Sequence, residues 1–150
     1  MSTHYRRDKR EAMLDVQYGI FVNELNEKLL ARFAIATGVA SLFSSSAIYL
    51  GIAKGYPFAA TIAGCAVSIL GLISTLSGLA DKRAQHSAMK KRFGELAGQC
   101  PALGLDEIDA RLAALQSDGP AGIRGLDWIA FNRNLLTHGY EENLVRLPVW

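Results

Sequence analysis

The chain has 150 residues, of which 50% are hydrophobic, and its 16 basic and 14 acidic side chains give a net charge of +2. This length fits one domain or two, the small net charge excludes a strongly basic nucleic-acid-binding protein, and two cysteines are too few for a disulfide framework or a four-cysteine zinc site. The charges are unevenly distributed, because positions 33–80 hold one of them, Lys54, and the other 102 positions hold 29. Soluble domains do not normally separate their charges in this way.

The charged N-terminal segment, residues 1–32, is predicted to form a cytoplasmic helix. Its apolar residues recur every three or four positions, which is the spacing of one helix face. This face comprises Leu14, Tyr18, Phe21, Leu25 and Leu29. No helix-breaking residue separates the segment from the apolar residues that follow, so one helix is expected to continue into them.

Two charge-free segments, residues 33–53 and 57–80, predict a transmembrane hairpin. At about 1.5 Å per residue, each reaches about 30 Å or more as a helix, which is the thickness of the hydrocarbon core. Lys54-Gly55-Tyr56 forms the turn, and Pro57 suits a first helical position. So short a connection requires antiparallel neighbours. A buried hairpin in a soluble bundle is the alternative, whereas a cleaved signal peptide is disfavoured because the first apolar segment begins only at residue 33.

Both apolar segments carry small and hydroxyl-bearing residues at helical spacing. Such residues allow close helix packing in lipid. If several hairpins assemble, the same stripe is also suited to line a polar path, which requires a homo-oligomer because one hairpin cannot enclose a pore. The candidate stripe consists of Thr37, Ser41 and Ser44 in the first segment and Gly64, Ser68, Gly71, Thr75 and Gly78 in the second.

The basic residues that flank the apolar segments predict their orientation. Lys28 and Arg32 precede the first segment, Lys54 alone lies in the turn, and a larger cluster follows the second segment. Because cytoplasmic flanks carry the excess of Lys and Arg, both termini are predicted to be cytoplasmic. The cluster is interpreted as a topology signal that faces anionic lipid, with a phosphate or nucleotide site as an alternative that no glycine-rich motif supports. It comprises Lys82, Arg83, Lys90, Lys91 and Arg92.

The remaining segment, residues 81–150, is predicted to be a cytoplasmic helical extension followed by a small helical region. A helix over 81–99 presents Met89, Phe93 and Leu96 on one face and is expected to pair with the N-terminal helix as an antiparallel stalk. Amphipathic spacing predicts a helix over 105–117 with Leu105, Ile108, Leu112 and Leu115 on one face. It also predicts a helix over 126–138 with Trp128, Phe131 and Leu135 on one side and Gly139 as a C-terminal stop. Residues 101–150 carry four basic and seven acidic side chains, so we expect them to fold back on the basic extension.

The sequence contains no recognisable catalytic or cofactor-binding motif. His4, His86 and His138 lie far apart and lack partners at metal-ligand spacing. A nucleophile elbow, a P-loop and a dinucleotide fingerprint are all absent from the sequence. We therefore predict that the chain is not an enzyme and holds neither a metal nor a cofactor.

The order of these segments resembles the SLATT family of bacterial two-span membrane proteins. The most specific likeness lies in residues 127–150, where a helix that carries Asn132 and Asn134 is followed by a glycine turn with acids and by Leu-Pro-Val-Trp150. Members often continue into a further helix beyond that point. The resemblance implies an all-α protein of the bacterial inner membrane with a two-helix transmembrane hairpin, helical cytoplasmic extensions and a small C-terminal helical region.

The resemblance further implies a pore-forming or membrane-disrupting effector of anti-phage defence, controlled by a nucleotide signal. Its partners would be membrane lipid, further copies of the chain, and a signal-producing nucleotidyltransferase or a nucleotide-sensing protein. The alternatives are a constitutive scaffold with two spans, a holin-like lysis protein and a soluble bundle. The leading prediction is the oligomeric effector.

Overall fold

A computed structural model of the protein describes residues 7–76 and 78–146, and every regular element in these ranges is helical. This confirms the all-α class. Five α-helices are followed by a short 3₁₀-helix, Glu141–Asn143. The α-helices are α1 Lys9–Ala53, α2 Pro57–Leu76, α3 Leu79–Gln99, α4 Leu105–Asp118 and α5 Leu126–Thr137.

The chain divides into two compact units. One unit contains the residues up to Glu27 together with those from Ala84 onward, and we call it the bundle unit. The other unit, Lys28–Arg83, is called the apolar unit. Both α1 and α3 contribute residues to each unit, because the unit boundaries fall inside these two helices.

The first helix, α1, is continuous over 45 residues. It begins with a capping box, in which the Glu11 backbone N–H donates to Asp8 Oδ1 at 2.8 Å and the Asp8 N–H donates to Glu11 Oε2 at 3.1 Å. The helix runs without interruption into the apolar residues, so the predicted continuity from residue 8 onward is confirmed.

The predicted turn at Lys54-Gly55-Tyr56 closes α1 with a Schellman motif. The Tyr56 N–H donates to the Gly51 carbonyl at 2.7 Å and the Gly55 N–H donates to the Ile52 carbonyl at 3.2 Å. Gly55 has a φ of 76°, which residues with a Cβ rarely adopt. Pro57 then begins α2, where the missing N–H of proline costs no helical hydrogen bond.

The second apolar segment differs from its prediction at the C-terminal end. The sequence pattern continued to Ala80, whereas α2 ends at Leu76 and α3 begins at Leu79. Between them Gly78 has a φ of 56°, in the left-handed region. Glycine adopts this conformation without the steric cost that a Cβ imposes, and periodicity alone does not reveal where a chain uses that freedom.

The core of the bundle unit brings together α1, α3 and α4. The predicted faces of the last two helices are confirmed, since Met89, Phe93 and Leu96 of α3 are buried, as are Ile108, Leu112 and Leu115 of α4. From α1, however, the core receives Ala12 and Val16 rather than the predicted large residues. The expected antiparallel pairing of α1 with α3 is present: the Phe93 ring lies against Gly19, and Lys9 Nζ donates to the Pro101 carbonyl at 2.9 Å.

The C-terminal helices lie within the bundle unit, as the charge distribution predicted. Arg92 of α3 pairs with Asp118 at the end of α4 at 3.1 Å. The predicted glycine stop of α5 is also confirmed, because Gly139 has a φ of 77° and the Tyr140 N–H donates to the Leu135 carbonyl at 2.9 Å. On α5 the predicted face is wrong: Ala130 and Asn134 are buried, whereas Trp128 and Phe131 are exposed.

Candidate functional site

The two helices of the apolar unit approach each other closely near their turn. An ideal Cβ at Gly51 would lie 3.1 Å from the Ala60 nitrogen, and one at Gly64 would lie 3.8 Å from Ile48 Cδ1. Gly51 and Ala60 are buried. Gly51 therefore allows a close backbone contact that a larger side chain would prevent, whereas Gly64 is in ordinary van der Waals contact with Ile48.

The candidate stripe is divided by this packing. On α1, Thr37, Ser41 and Ser44 are half-buried and share the face of Ile48, which contacts α2. On α2, Gly64 is half-buried beside Ile48, but Ser68 and Gly71 are exposed. Gly78 lies outside α2, and the Thr75 side chain lies outside the part of the chain that the structure describes.

Hydroxyl groups of the apolar unit donate to carbonyls of their own helix. Thr37 Oγ1 donates to the Phe33 carbonyl at 2.9 Å, and Ser68 Oγ donates to the Gly64 carbonyl at 3.0 Å. Ser45, Ser46 and Thr61 make the same type of bond at 2.8–3.0 Å. Because these hydroxyls have acceptors within the helix, they can enter an apolar environment at little cost.

One described helix, α1, is long and apolar enough to cross a membrane. None of its most apolar 18-residue stretch is buried within the protein. The apolar part of α2, Pro57–Ile73, has fewer than 18 residues and is shorter than the apolar part of a typical membrane span. The length and composition of α1 thus indicate membrane association.

The basic cluster that follows the apolar segments is divided between the two units. Lys82 and Arg83 belong to the apolar unit and are exposed. In the bundle unit, Lys90 pairs with Glu27 and Arg92 pairs with Asp118. Lys91 is the most exposed member of the bundle part, with 80% of its side chain accessible and Glu95 at 4.0 Å.

One row of buried residues on α1, which we call the seam, was not predicted from the sequence. The buried residues of this helix in the bundle unit step by four, three, four and three positions, and they are Ala12, Val16, Gly19, Asn23 and Asn26. The predicted apolar face instead contains half-buried residues, two of which contact α5: Tyr18 packs edge-on against Phe131, and Phe21 lies under the Arg133 guanidinium. This spacing of four and three positions is present in the sequence, but it does not stand out as a buried face because most of its residues are small or polar.

The buried asparagines connect α1 to other parts of the bundle unit. Asn23 Oδ1 lies 2.9 Å from Nδ1 of His86, which is 2% exposed. Asn26 Oδ1 accepts the Ile123 N–H at 2.8 Å and so attaches the α4–α5 loop to α1. Burial lowers the pKa of His86 below its usual range, although the nearby Glu27 carboxylate acts in the opposite direction. His86 is therefore neutral at neutral pH.

Asn132 and Asn134, the asparagines in the family-like segment, both make backbone contacts. Asn132 Nδ2 donates to the Val145 carbonyl at 2.7 Å and its Oδ1 accepts the Val145 N–H at 2.9 Å, and these bonds hold the segment around Val145 on α5. Asn134 is buried and donates to the Leu14 carbonyl of α1 at 3.0 Å. Both therefore have structural roles in the bundle unit.

No protein-family model, curated protein or solved structure matches this chain. The resemblance to the SLATT family accordingly stays a prediction.

Proposed function

We propose that the chain is an oligomeric membrane effector that inserts α1 and α2 as a two-span hairpin and opens or disrupts the bilayer. The observation that carries the proposal is exposed apolar surface. Of the twenty exposed large hydrophobic side chains among the described residues, fourteen lie between Phe33 and Ile73. Apolar patches of this extent mark contact with lipid or with other proteins.

Lipid is the environment that best fits the exposed apolar surface between Phe33 and Ile73. Lys54 is the single charged residue between Phe33 and Ala80, and it lies in the turn. Five of the hydroxyl groups donate within their own helices, and backbone groups inside a helix need no water. Tyr49 precedes the turn and Tyr56 lies in it, and both are exposed, as expected of residues at a membrane interface.

Oligomerisation is proposed from the divided stripe. Within one chain the contact between α1 and α2 uses Gly51 and Gly64. Ser68 and Gly71 lie on an exposed part of α2, where small residues allow close approach of a second hairpin. Under this proposal the bundle unit receives the cytoplasmic signal, through a nucleotidyltransferase or nucleotide-sensing partner of the kind that the family resemblance implies.

Substitution of Gly71 by leucine tests the effector function. Wild-type chain expressed in a bacterial host should depolarise the inner membrane and arrest growth, and Gly71→Leu should abolish both because its side chain keeps neighbouring helices apart. Gly38→Leu is the matched control, since Gly38 is an exposed glycine of α1 outside the stripe and an added Cβ there meets nothing within 4 Å. Equal depolarisation by both variants would exclude the stripe from the mechanism.

A constitutive membrane scaffold is the second candidate function. It is favoured by α5, which leaves Trp128, Ile129 and Leu136 exposed to 41–51% while burying Ala130 and Asn134. Exposed aromatic and aliphatic side chains of this kind are suited to dock a protein partner. Inserted wild-type chain whose expression leaves the membrane potential undisturbed, both alone and with candidate nucleotide signals supplied, would favour this candidate over the pore.

A further inference from the structure

The bundle unit contains a cavity of about 240 Å³ that is lined in part by the α4–α5 loop. Its lining comes from α1, α3, the end of α4 and the start of α5, together with Gly119, Pro120 and Gly122 of the loop. The Asn26 side chain attaches this loop to α1 through the Ile123 N–H. The volume is slightly below the range typical of drug-sized ligands, so the cavity suits a smaller molecule.

The interior of the cavity combines an aromatic wall with a buried polar pair. Phe93 and Tyr18 line it beside Asn23 and His86. His86 Nδ1 faces Asn23 Oδ1 at 2.9 Å, and because Asn23 Nδ2 donates to the Gly19 carbonyl, His86 is the donor in that contact. The neutral ring then presents the lone pair of Nε2 as an acceptor.

Two carboxylates line the same cavity, and one of them lacks a cation partner among the described residues. Asp15 and Asp127 both contribute to its lining, whereas no lysine or arginine does. Asp15 pairs with Arg7, but Asp127 has no ion-pair partner among the residues that the structure describes. The pKa of the Tyr18 phenol is raised by burial and by the Asp127 carboxylate. The cavity thus offers acceptors and negative charge, which oppose the binding of phosphates and other anions.

We infer that this cavity binds a small aromatic amine, with the ring between Phe93 and Tyr18, a ring N–H directed to His86 Nε2 and the ammonium group at Asp127. The aromatic body matches the apolar walls, and the exposed carboxylate of Asp127 can form an ion pair with the ammonium group. The inference depends on contacts within the bundle unit alone and goes beyond the proposed membrane function. It stands or fails independently of pore activity.

A matched set of indole probes tests the inference on the full-length chain in detergent. Tryptamine carries the ammonium group, tryptophol replaces it with a hydroxyl, and indole-3-propionate replaces it with a carboxylate. We expect saturable tryptamine binding by saturation-transfer NMR, about tenfold weaker binding of tryptophol, and no binding of the propionate. Empty micelles report partition into the detergent.

Two variants assign the charge contact. Asp127→Asn should weaken tryptamine binding about tenfold and leave tryptophol binding unchanged. Asp106→Asn is the control, because Asp106 occupies the same position in the first turn of α4 that Asp127 occupies in α5, yet it does not line the cavity. Equal affinity for the three probes, unchanged tryptamine binding in Asp127→Asn, or no saturable binding of tryptamine would each overturn the inference. Circular dichroism confirms that the variants are folded.

Discussion

Gly19 illustrates how a single residue determines the packing of the bundle unit. In isolation it weakens α1, because glycine lowers helix stability by about 0.5–1 kcal/mol relative to alanine. In the structure its missing side chain makes room for the Phe93 ring: an ideal Cβ would lie 2.4 Å from Phe93 Cε1. The close contact between α1 and α3 explains why this position tolerates the helix-weakening residue.

Alanine at position 19 should therefore destabilise the bundle unit. We expect Gly19→Ala to lower the free energy of unfolding by about 1–2 kcal/mol, because overpacking of a core costs about 1–3 kcal/mol and the gain in helix propensity offsets only part of this. Thermal unfolding in mild detergent measures the change.

Gly94→Ala provides the opposite control for this measurement. Gly94 is an exposed residue of α3, and an added Cβ there meets nothing within 4 Å. It should raise stability by about 0.5–1 kcal/mol. If both variants were stabilised, the tight contact at Gly19 would not be a feature of the folded protein.

The pairing of α1 with α3 depends on a polar contact as well as on apolar packing. Asn23 and His86 are buried side by side, and the ion pair between Glu27 and Lys90 lies close to them along the same two helices. A neutral imidazole satisfies Asn23 without bringing a charge into the core. The buried polar pair contributes to the register of the two helices. Protonation of His86 would keep the Nδ1–H donor but would place a charge in the core.

Acid should weaken this helix pairing. Because the pKa of His86 is lowered in the folded state, the unfolded chain binds a proton more readily, so the unfolding free energy falls as pH drops from about 6.5 toward the folded pKa. His86→Gln keeps an N–H donor for Asn23 and has no titration in this range. We expect its stability to differ less than that of the wild type between pH values of about 7.5 and about 5.5. An identical loss in both proteins would assign the acid effect to other groups.

The division into an apolar unit and a charged bundle unit is the main feature of the whole molecule. Between Phe33 and Ile73 the exposed side chains are mostly apolar, whereas the bundle unit has a buried core and ion pairs such as Arg133 with Glu24 at 2.9 Å. Under the proposed function, lipid covers the first unit and the cytoplasm surrounds the second.

Cysteine labelling tests this arrangement in cells. With Cys65 and Cys100 replaced by alanine, an impermeant maleimide should label Tyr56→Cys in the turn of intact cells, and should label Gln85→Cys in α3 only after lysis. Both positions are exposed in the structure, so accessibility depends on the membrane. Alkaline carbonate should leave the chain in the membrane pellet. Extraction into the supernatant would contradict a spanning hairpin and favour a peripheral or soluble bundle.

Several elements were determined by local sequence. The turn at Lys54-Gly55-Tyr56 and the stop at Gly139 were predicted, because glycine in the left-handed conformation and proline at a first helical position have local steric causes. The α4 face was predicted because its large apolar residues follow one helical period. The continuity of α1 followed from the absence of a breaker.

Other features were decided by tertiary structure. The seam of α1 consists of small and polar residues, and Asn23 and Asn26 can be buried only because His86 and Ile123, distant in sequence, provide their partners. The same holds for the divided stripe, since the contact between Gly51 and Ala60 determines which side of α2 stays exposed. Local periodicity indicates which residues can form one face of a helix. The hydrogen-bond partners of a buried polar group, and the neighbours whose close approach requires a glycine, come from elsewhere in the chain.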